Sequence, residues 1–134
     1  MISTKGRYAL RMVIDFARQG EEACVPLREV AERQGISVKY LEQLASLLIQ
    51  ADILRSVRGP HGGYVLIRPP EETNVGDILR AAEGSCAPVA CLEADFGICP
   101  RRSECETFSF WEGLDKVIEA YVDGVTVADL VPAR

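Results

Sequence analysis

The chain is 134 residues long, enough for one domain with its own core or for a small module with an added arm. Hydrophobic residues make up 48% and charged residues 26%, a folded rather than a disordered composition. No run approaches the roughly 18–20 apolar residues of a membrane span, and the N-terminal apolar run, broken by Arg11 and Asp15, lacks the cleavage site of a signal peptide, so a cytoplasmic protein is expected. The net charge of −5 is unevenly divided. Residues 1–68 hold ten Lys/Arg against seven Asp/Glu, a net of +3, and residues 69–134 hold five against thirteen, a net of −8. The N-terminal part can therefore face phosphate while the acidic part is held away from it.

In chain order, Ser3 or Thr4 can cap a first helix that runs to about Gln19, where Gly20 stops it. Tyr8, Ala9, Met12, Val13, Phe16 and Ala17 recur at helical spacing and line its buried face. Pro26 suits the first turn of a short second helix through Leu27, Val30 and Ala31, which breaks at Gln34-Gly35. Ser37 is an N-cap for a third helix over about Val38 to Gln50, with Leu41, Leu44, Leu47 and Leu48 as its buried stripe. Two short helices joined through a glycine turn, the second with a polar face, read as a helix-turn-helix.

Two β-prone segments follow, Ile53–Arg58 and Tyr64–Ile67, separated by Gly59-Pro60-His61-Gly62-Gly63. After a helix-turn-helix such a hairpin makes a wing, and Pro69-Pro70 ends the unit. A fourth helix is expected over Val75–Glu83, capped by Thr73 or Asn74 and closed by Gly84. Residues 85–105 have no period and read as a long functional loop. From Glu106 to about Asp123 a helical seam returns at Trp111, Leu114, Ile118 and Tyr121, widened by Val117 and Val122, as in a helix that packs on a partner helix. A short last turn covers Val125–Val131. The expected fold is mainly α with a small β-hairpin: a winged helix-turn-helix over residues 1–70, then residues 71–134 with a helix, the loop (86–106) and a dimerisation helix (106–123), the whole forming one compact dimeric unit.

Side chains that read base edges must come from the first two turns of the recognition helix, which enter the major groove. Ser37, Lys39, Tyr40, Glu42 and Gln43 meet that condition. Glu42 could accept from a cytosine amino group and Gln43 could bridge adenine, while Lys39 and Ser37 suit phosphate. In the wing, Arg58 could enter a minor groove, and Gly59 with its neighbouring glycines lets the backbone approach phosphate. His61, the single histidine, reads first as a solvated loop residue and next as a phosphate contact. With that one histidine and no paired carboxylates in a pocket, acid–base catalysis has no machinery, so neither an enzyme nor a small-molecule substrate is expected.

Five cysteines (Cys24, Cys86, Cys91, Cys99 and Cys105) form an odd set, and four of them fall within the loop. In a reducing compartment this points to a metal or redox role rather than to disulfides. The spacing of Cys91, Cys99 and Cys105 is C-x7-C-x5-C, unlike the C-x2-C knuckle of zinc ribbons. Soft thiolates suit iron–sulfur chemistry, and Cys105 stands where the start of a helix favours a negative thiolate. Cys24, in a connecting segment, reads as an ordinary buried or half-buried thiol.

Lys5-Gly6-Arg7-Tyr8-Ala9, Glu32-Arg33-Gln34-Gly35-Ile36-Ser37 with Tyr40-Leu41-Glu42-Gln43-Leu44, and Ser56-Val57-Arg58-Gly59-Pro60 leading into Gly62-Gly63-Tyr64 resemble the IscR/NsrR-type winged-helix regulators, essentially end to end. The resemblance implies a homodimer with crossing C-terminal helices, palindrome-like double-stranded operators, and Tyr40, Glu42, Gln43 and Arg58 at the DNA. It also implies an iron–sulfur cluster, 2Fe–2S favoured over 4Fe–4S and open to loss in air, on Cys91, Cys99 and Cys105. The family's first cysteine gap is usually two residues shorter than here. The fourth ligand stays open. Phe108 stands where some members place a histidine, and Tyr8 where others place an acid. That leaves Cys86 as the next candidate, with Glu93, Asp95, Glu104 and Glu106 nearby. The expected activity is a DNA-binding regulator that senses cluster status, oxidants or nitric oxide. Its rivals are a cluster-free regulator using the cysteines as thiol sensor or zinc site, and a small iron–sulfur carrier.

Overall fold

A computed structural model of the chain describes residues 1–93, 97 and 99–132. Helix α1 spans Thr4–Arg18, with the Ser3 hydroxyl accepting from the Lys5 N–H at 3.2 Å. Ala9, Met12, Val13 and Phe16 are buried along it, as their spacing requires. Helix α2 (Leu27–Gln34) begins one residue after Pro26, which stands just outside the first turn, at the N-cap. It ends on Gly35 at φ 67°, a left-handed conformation that costs glycine little and lets the chain turn sharply into α3.

Helix α3 (Val38–Gln50) is capped by the Ser37 hydroxyl, which accepts from the Tyr40 N–H at 3.2 Å. Its buried stripe is Leu41, Leu44, Ala45 and Leu48, a strict i, i+3, i+4, i+7 set. Leu47, expected in that stripe, is only half-buried. It lies on the shoulder of the stripe, in a shallow groove shared with Lys5, Tyr40 and Gln43. Burying a Leu, Met or Phe side chain of this kind stabilises the fold by roughly 1.5–3 kcal/mol each, and the main core holds Met12, Phe16, Leu41, Leu44 and Leu48 together.

Strands β1 (Leu54–Val57) and β2 (Gly63–Leu66) pair antiparallel, Leu54 opposite Leu66 and Val57 opposite Gly63. β1 is shorter than its β-prone segment and β2 lies one residue earlier than its own, with Ile53 and Ile67 forming a fringe joined by a single Ile67 N–H to Ile53 carbonyl bond. A third edge comes from the α1–α2 connection. Val25 donates to the Tyr64 carbonyl at 3.0 Å and accepts from the Tyr64 N–H at 2.9 Å. This pin needs glycine at position 63, where a Cβ would stand 2.5 Å from the Val25 carbonyl.

Helix α4 (Val75–Glu83) is capped by Asn74, whose side chain accepts from the Asp77 N–H at 2.7 Å. Ile78 and Ala82 enter the main core, while Val75 and Leu79 form a second cluster with Cys86 and Val122. After 3-10 turns at Ala90–Leu92 and Arg102–Glu104, helix α5 spans Phe108–Gly124. It starts two residues later than its period suggests, because the 3-10 turn Arg102–Glu104 is followed by Cys105 in an extended conformation. Helix α6 (Val127–Leu130) carries a complete capping box between Thr126 and Asp129. Just before it the chain returns to the start of α4: Val75 donates to the Val125 carbonyl at 2.9 Å and Val127 donates to the Thr73 carbonyl at 2.8 Å. Val127, fully buried, also belongs to the main core. The architecture is mainly helical with a single two-stranded hairpin among the described residues. None of their helices is long and apolar enough to cross a membrane.

Candidate nucleic-acid interface and cysteine loop

The helix-turn-helix is held at its base by a buried charge. Asp15, 2% exposed, projects from the apolar face of α1 and accepts from Arg33 Nη2 at 2.7 Å, Arg33 Nε at 3.1 Å and Gln34 Nε2 at 2.9 Å. The bonded carboxylate holds the Arg33 guanidinium pKa above its ordinary value. Arg11, one turn earlier on α1, donates to the Gln34 carbonyl and side chain. These bonds satisfy a carboxylate that would be costly to bury alone and fix α2 at the angle that presents α3. In the sequence Asp15 stands out only as a break in an apolar run. The available signal was its place on the buried face, three residues after Met12 and next to Phe16, where an acid requires a partner.

The N-cap Ser37 and, on α3, Lys39, Glu42 and Gln43 are exposed, and among the described residues Lys39 has no ion-pair partner. Tyr40 is half-buried rather than free in solvent: its ring stands edge-on to Tyr8 of α1, centroids 5.8 Å apart. Arg11 in turn lies over the Tyr8 ring at 5.2 Å. The phenol of Tyr40 is thus steered from behind by α1, which positions the first turn of α3.

At the wing tip Arg58, Gly59, Pro60 and His61 are exposed, and Gly59 adopts φ 110°. Gly62 donates to the Gly59 carbonyl at 2.9 Å, closing the tip. Cys24 is exposed, contrary to its expected burial, because it sits on the connection that pins the wing. Its thiol donates to the His61 carbonyl at 3.6 Å. The structure therefore brings Ser37, Lys39, Glu42 and Gln43 onto one exposed helical segment and Arg58, Gly59 and His61 onto one exposed turn.

The loop cysteines occupy unlike surroundings. Cys86 is 5% exposed, packed with Val75, Leu79 and Val122, and burial pushes its thiol pKa up. Cys91 and Cys99 are half-buried and Cys105 is exposed. The Thr107 hydroxyl, 3.4 Å from its sulfur, holds the Cys105 thiol pKa below the usual thiol range, helped by the Thr107 and Phe108 N–H groups at the start of α5. Cys99 and Cys105 line one open groove with Arg102, Phe108, Ser109 and Glu112, and the Arg102 guanidinium stacks 4.5 Å over the Phe108 ring. Among the described residues no three His, Cys, Asp or Glu side chains converge in metal-binding geometry. The donor chemistry fits a soft metal group, with two of the three thiols already sharing a groove. Cys91, on the 3-10 turn Ala90–Leu92, is not one of the residues that line that groove. Asp95, one of the candidate carboxylates, lies outside the described residues.

Helix α5 carries two apolar faces where the sequence suggested one seam. Val122 and Ile118 pack against α4, whereas Phe110, Val117 and Tyr121 are 63%, 65% and 72% exposed. Phe110, which the seam omitted, stands edge-on to Trp111 at 4.9 Å.

Over residues 2–133 the sequence matches the Rrf2 family, described as iron-dependent transcriptional regulators. Among curated proteins it is similar to the protein rrf2 of Nitratidesulfovibrio vulgaris, 41% identical over 97% of this chain and 86% of that protein. Among solved structures it resembles CymR (YrzC), the global cysteine regulator of B. subtilis, with a TM-score of 0.77 and 37% identity over 97% of this chain and 95% of that one. It also resembles T. potens IscR, with a TM-score of 0.72 and 39% identity over 97% and 85% of the two chains.

Proposed function

The chain belongs to the Rrf2 family of transcriptional regulators, and from that footing we propose that it binds palindrome-like double-stranded operators as a cytoplasmic homodimer whose cysteine loop is its sensor. Regulation of transcription through DNA, not catalysis, is the activity common to its relatives. The observation that supports the finer reading best is the pairing of an exposed, capped α3 with a pinned wing, both hung on the Asp15–Arg33 lock. Ser37, Lys39, Tyr40, Glu42 and Gln43 would meet the major groove, and Arg58, Gly59 and His61 the flanking backbone and minor groove. Residues 1–70 act as the reading module and residues 71–134 as the sensing and pairing part. Because Ile78, Ala82 and Val127 lie in the same core as α1–α3, the two work as one unit.

In the loop, Cys91, Cys99 and Cys105 would hold the iron–sulfur group, 2Fe–2S in preference to 4Fe–4S, once the loop brings Cys91 to the groove of the other two. Bound there, it would supply a redox-active and nitric-oxide-reactive centre. Cys86, buried among aliphatic side chains with its thiol disfavoured as thiolate, is a poor fourth ligand, which leaves that position to a carboxylate or to the other protomer. A second reading has an observation of its own, the exposed Cys105 with its lowered pKa. Its thiolate could attack the O–O bond of a peroxide, taking up one oxygen as sulfenic acid and releasing water. The likeness to CymR of Staphylococcus aureus, whose structure has been solved in an oxidised form, supports this reading.

Anaerobic purification with iron and sulfide assay separates the two. Matching iron and sulfide with thiolate-to-iron absorption, lost in Cys99→Ala together with the change in operator affinity, supports the cluster. Protein that takes up no iron yet responds to peroxide supports the thiol sensor. Salt-dependent duplex binding, weakened by Lys39→Ala and Arg58→Ala, tests the DNA reading itself.

A further inference from the structure

Glu83 is the last residue of α4 and stands three residues before Cys86, where the loop begins. Its carboxylate does not point along its own helix. Oε1 accepts from the Ser3 hydroxyl at 2.6 Å and the Gly6 N–H at 2.9 Å, and Oε2 accepts from the Ser3 N–H at 2.7 Å. The Ser3 hydroxyl, donating to Glu83, also accepts from the Lys5 N–H. Glu83 thus serves as a second, distant cap for the first turn of α1, satisfying donors that a helix start leaves open. Burial would raise its pKa, but the Ser3 and Gly6 bonds outweigh that and keep it below the ordinary carboxyl value.

The first turn of α1 is also what stands behind the reading helix. Two residues after Gly6, Tyr8 packs edge-on to Tyr40, and Lys5 borders a groove with Tyr40, Gln43 and Leu47 of α3. On the other side of Glu83, past the exposed Gly84, the Ala87 carbonyl accepts from the N-terminal ammonium at 3.0 Å, a second tie between the start of the chain and the loop. Cys86 and Ala87 are both buried, and Ala87 donates to the Ser85 hydroxyl at 2.9 Å. A displacement at the start of the loop would therefore be passed to the end of α4 with little slack.

We propose that Glu83 is the positioning residue through which the state of the cysteine loop reaches the DNA-reading helix, by way of Ser3, Gly6, Tyr8 and Tyr40. The proposal rests on the sensing role given to the loop above. Glu83 touches neither DNA nor the sensor group. Its carboxylate holds the start of α1 to the end of α4, and a change of loop conformation relaxes or tightens that hold, tilting Tyr40 and Gln43 relative to the groove they read.

The test uses full-length Glu83→Gln, with Asn74→Ala as a control that uncaps the opposite end of the same helix. Hydrogen exchange by mass spectrometry on the reduced proteins comes first. Glu83→Gln should speed exchange at the Gly6 amide by about tenfold, the counterpart of one charge-assisted hydrogen bond, and speed exchange measurably at Leu41 to Leu44. Asn74→Ala should leave Leu41 to Leu44 unchanged. If Glu83→Gln also leaves them unchanged, or if Asn74→Ala accelerates them equally, the proposed link is overturned. The second readout is operator affinity, on a duplex selected by the wild type from a random library, before and after anaerobic treatment with iron and sulfide or, where no iron is taken up, with peroxide. The ratio of the two affinities should fall towards one in Glu83→Gln while the loop still reacts. A ratio as large as in wild type overturns the proposal. A wild-type ratio of one, with the exchange effects present, instead sinks the sensing reading of the loop.

Discussion

In the winged-helix part, polar groups that enter the interior are answered within the chain: Asp15 accepts from both Arg33 and Gln34, and Tyr64 exchanges two backbone bonds with Val25. In the loop and α5, groups of high chemical or apolar potential are left facing outward. Cys105 is exposed beside a thiolate-favouring helix start, and Phe110, Val117 and Tyr121 line a bare stripe of α5. The contrast teaches that one half is complete as a single chain, whereas the other presents surfaces whose use requires something added. A module that reads DNA must keep its internal packing even where its tilt on the duplex is adjusted. Under the proposed function, the exposed thiol would be the reachable part of a sensor and the bare stripe would be covered by a second copy of the chain.

The largest effect expected is at the bare stripe. Val117→Glu with Tyr121→Glu should weaken self-association by about 4 kcal/mol, roughly a thousandfold, while the monomer stays folded. Sedimentation velocity reads this directly, and a pair of unchanged strength would remove the stripe from the interface and break the contrast. Next comes the lock of the reading head. Arg33→Met should cost about 3 kcal/mol by urea unfolding, because it leaves Asp15 charged and buried. Asp15→Asn should cost less, since Arg33, about a third exposed (35%), can turn to water. The reverse order would mean that the arginine, not the acid, is the constrained partner.

Within the loop the comparison sharpens to single sulfurs. Cys86→Ser should cost roughly 1–3 kcal/mol by placing a hydroxyl among aliphatic side chains, whereas Cys105→Ser should stay within about 0.5 kcal/mol in the absence of a bound group. Equal costs would show that the two thiols do not divide between core and sensor. The smallest effect concerns Glu83. Its carboxyl binds a proton less readily in the folded than in the unfolded chain, so its contribution is whole above its ordinary value of 4.5 and is lost as pH falls through the lowered folded value. Between about pH 6 and pH 3 the wild type should therefore lose more of its urea midpoint than Glu83→Gln. Equal losses would show that Ser3 and Gly6 do not favour the charged form.

What could be read in the sequence followed the range of the interactions. Helix starts at Ser3, Ser37 and Asn74 and the stop at Gly35 are set by neighbours within a few residues, and each stands where a local reading puts it. The exposed faces of α3 and the wing tip were legible for the same reason. The Asp15–Arg33 bond joins residues 18 apart and the Glu83–Ser3 bond residues 80 apart, so no local pattern announced them. Leu47 and Ala45 both have helical spacing, and only the packing of α1 and α4 on α3 decides which is covered. The cysteines are the extreme case. Their spacing was plain, but Cys86 goes to the core because α4 and α5 close over it, and nothing in the spacing separates it from Cys91.

The backbone clasp between Thr73–Val75 and Val125–Val127 has a consequence for how such a protein can vary. It brings the two ends of residues 75–125 together, so the connection between α4 and α5 can change length while the clasp at its base stays closed. Enlarging an open loop is entropically cheap, about 0.6 kcal/mol for each doubling. Two residues added to a segment of this length would then cost well under about 0.1 kcal/mol. A fold closed at the base in this way can lengthen or shorten the segment between α4 and α5 without unpicking the joint that anchors it.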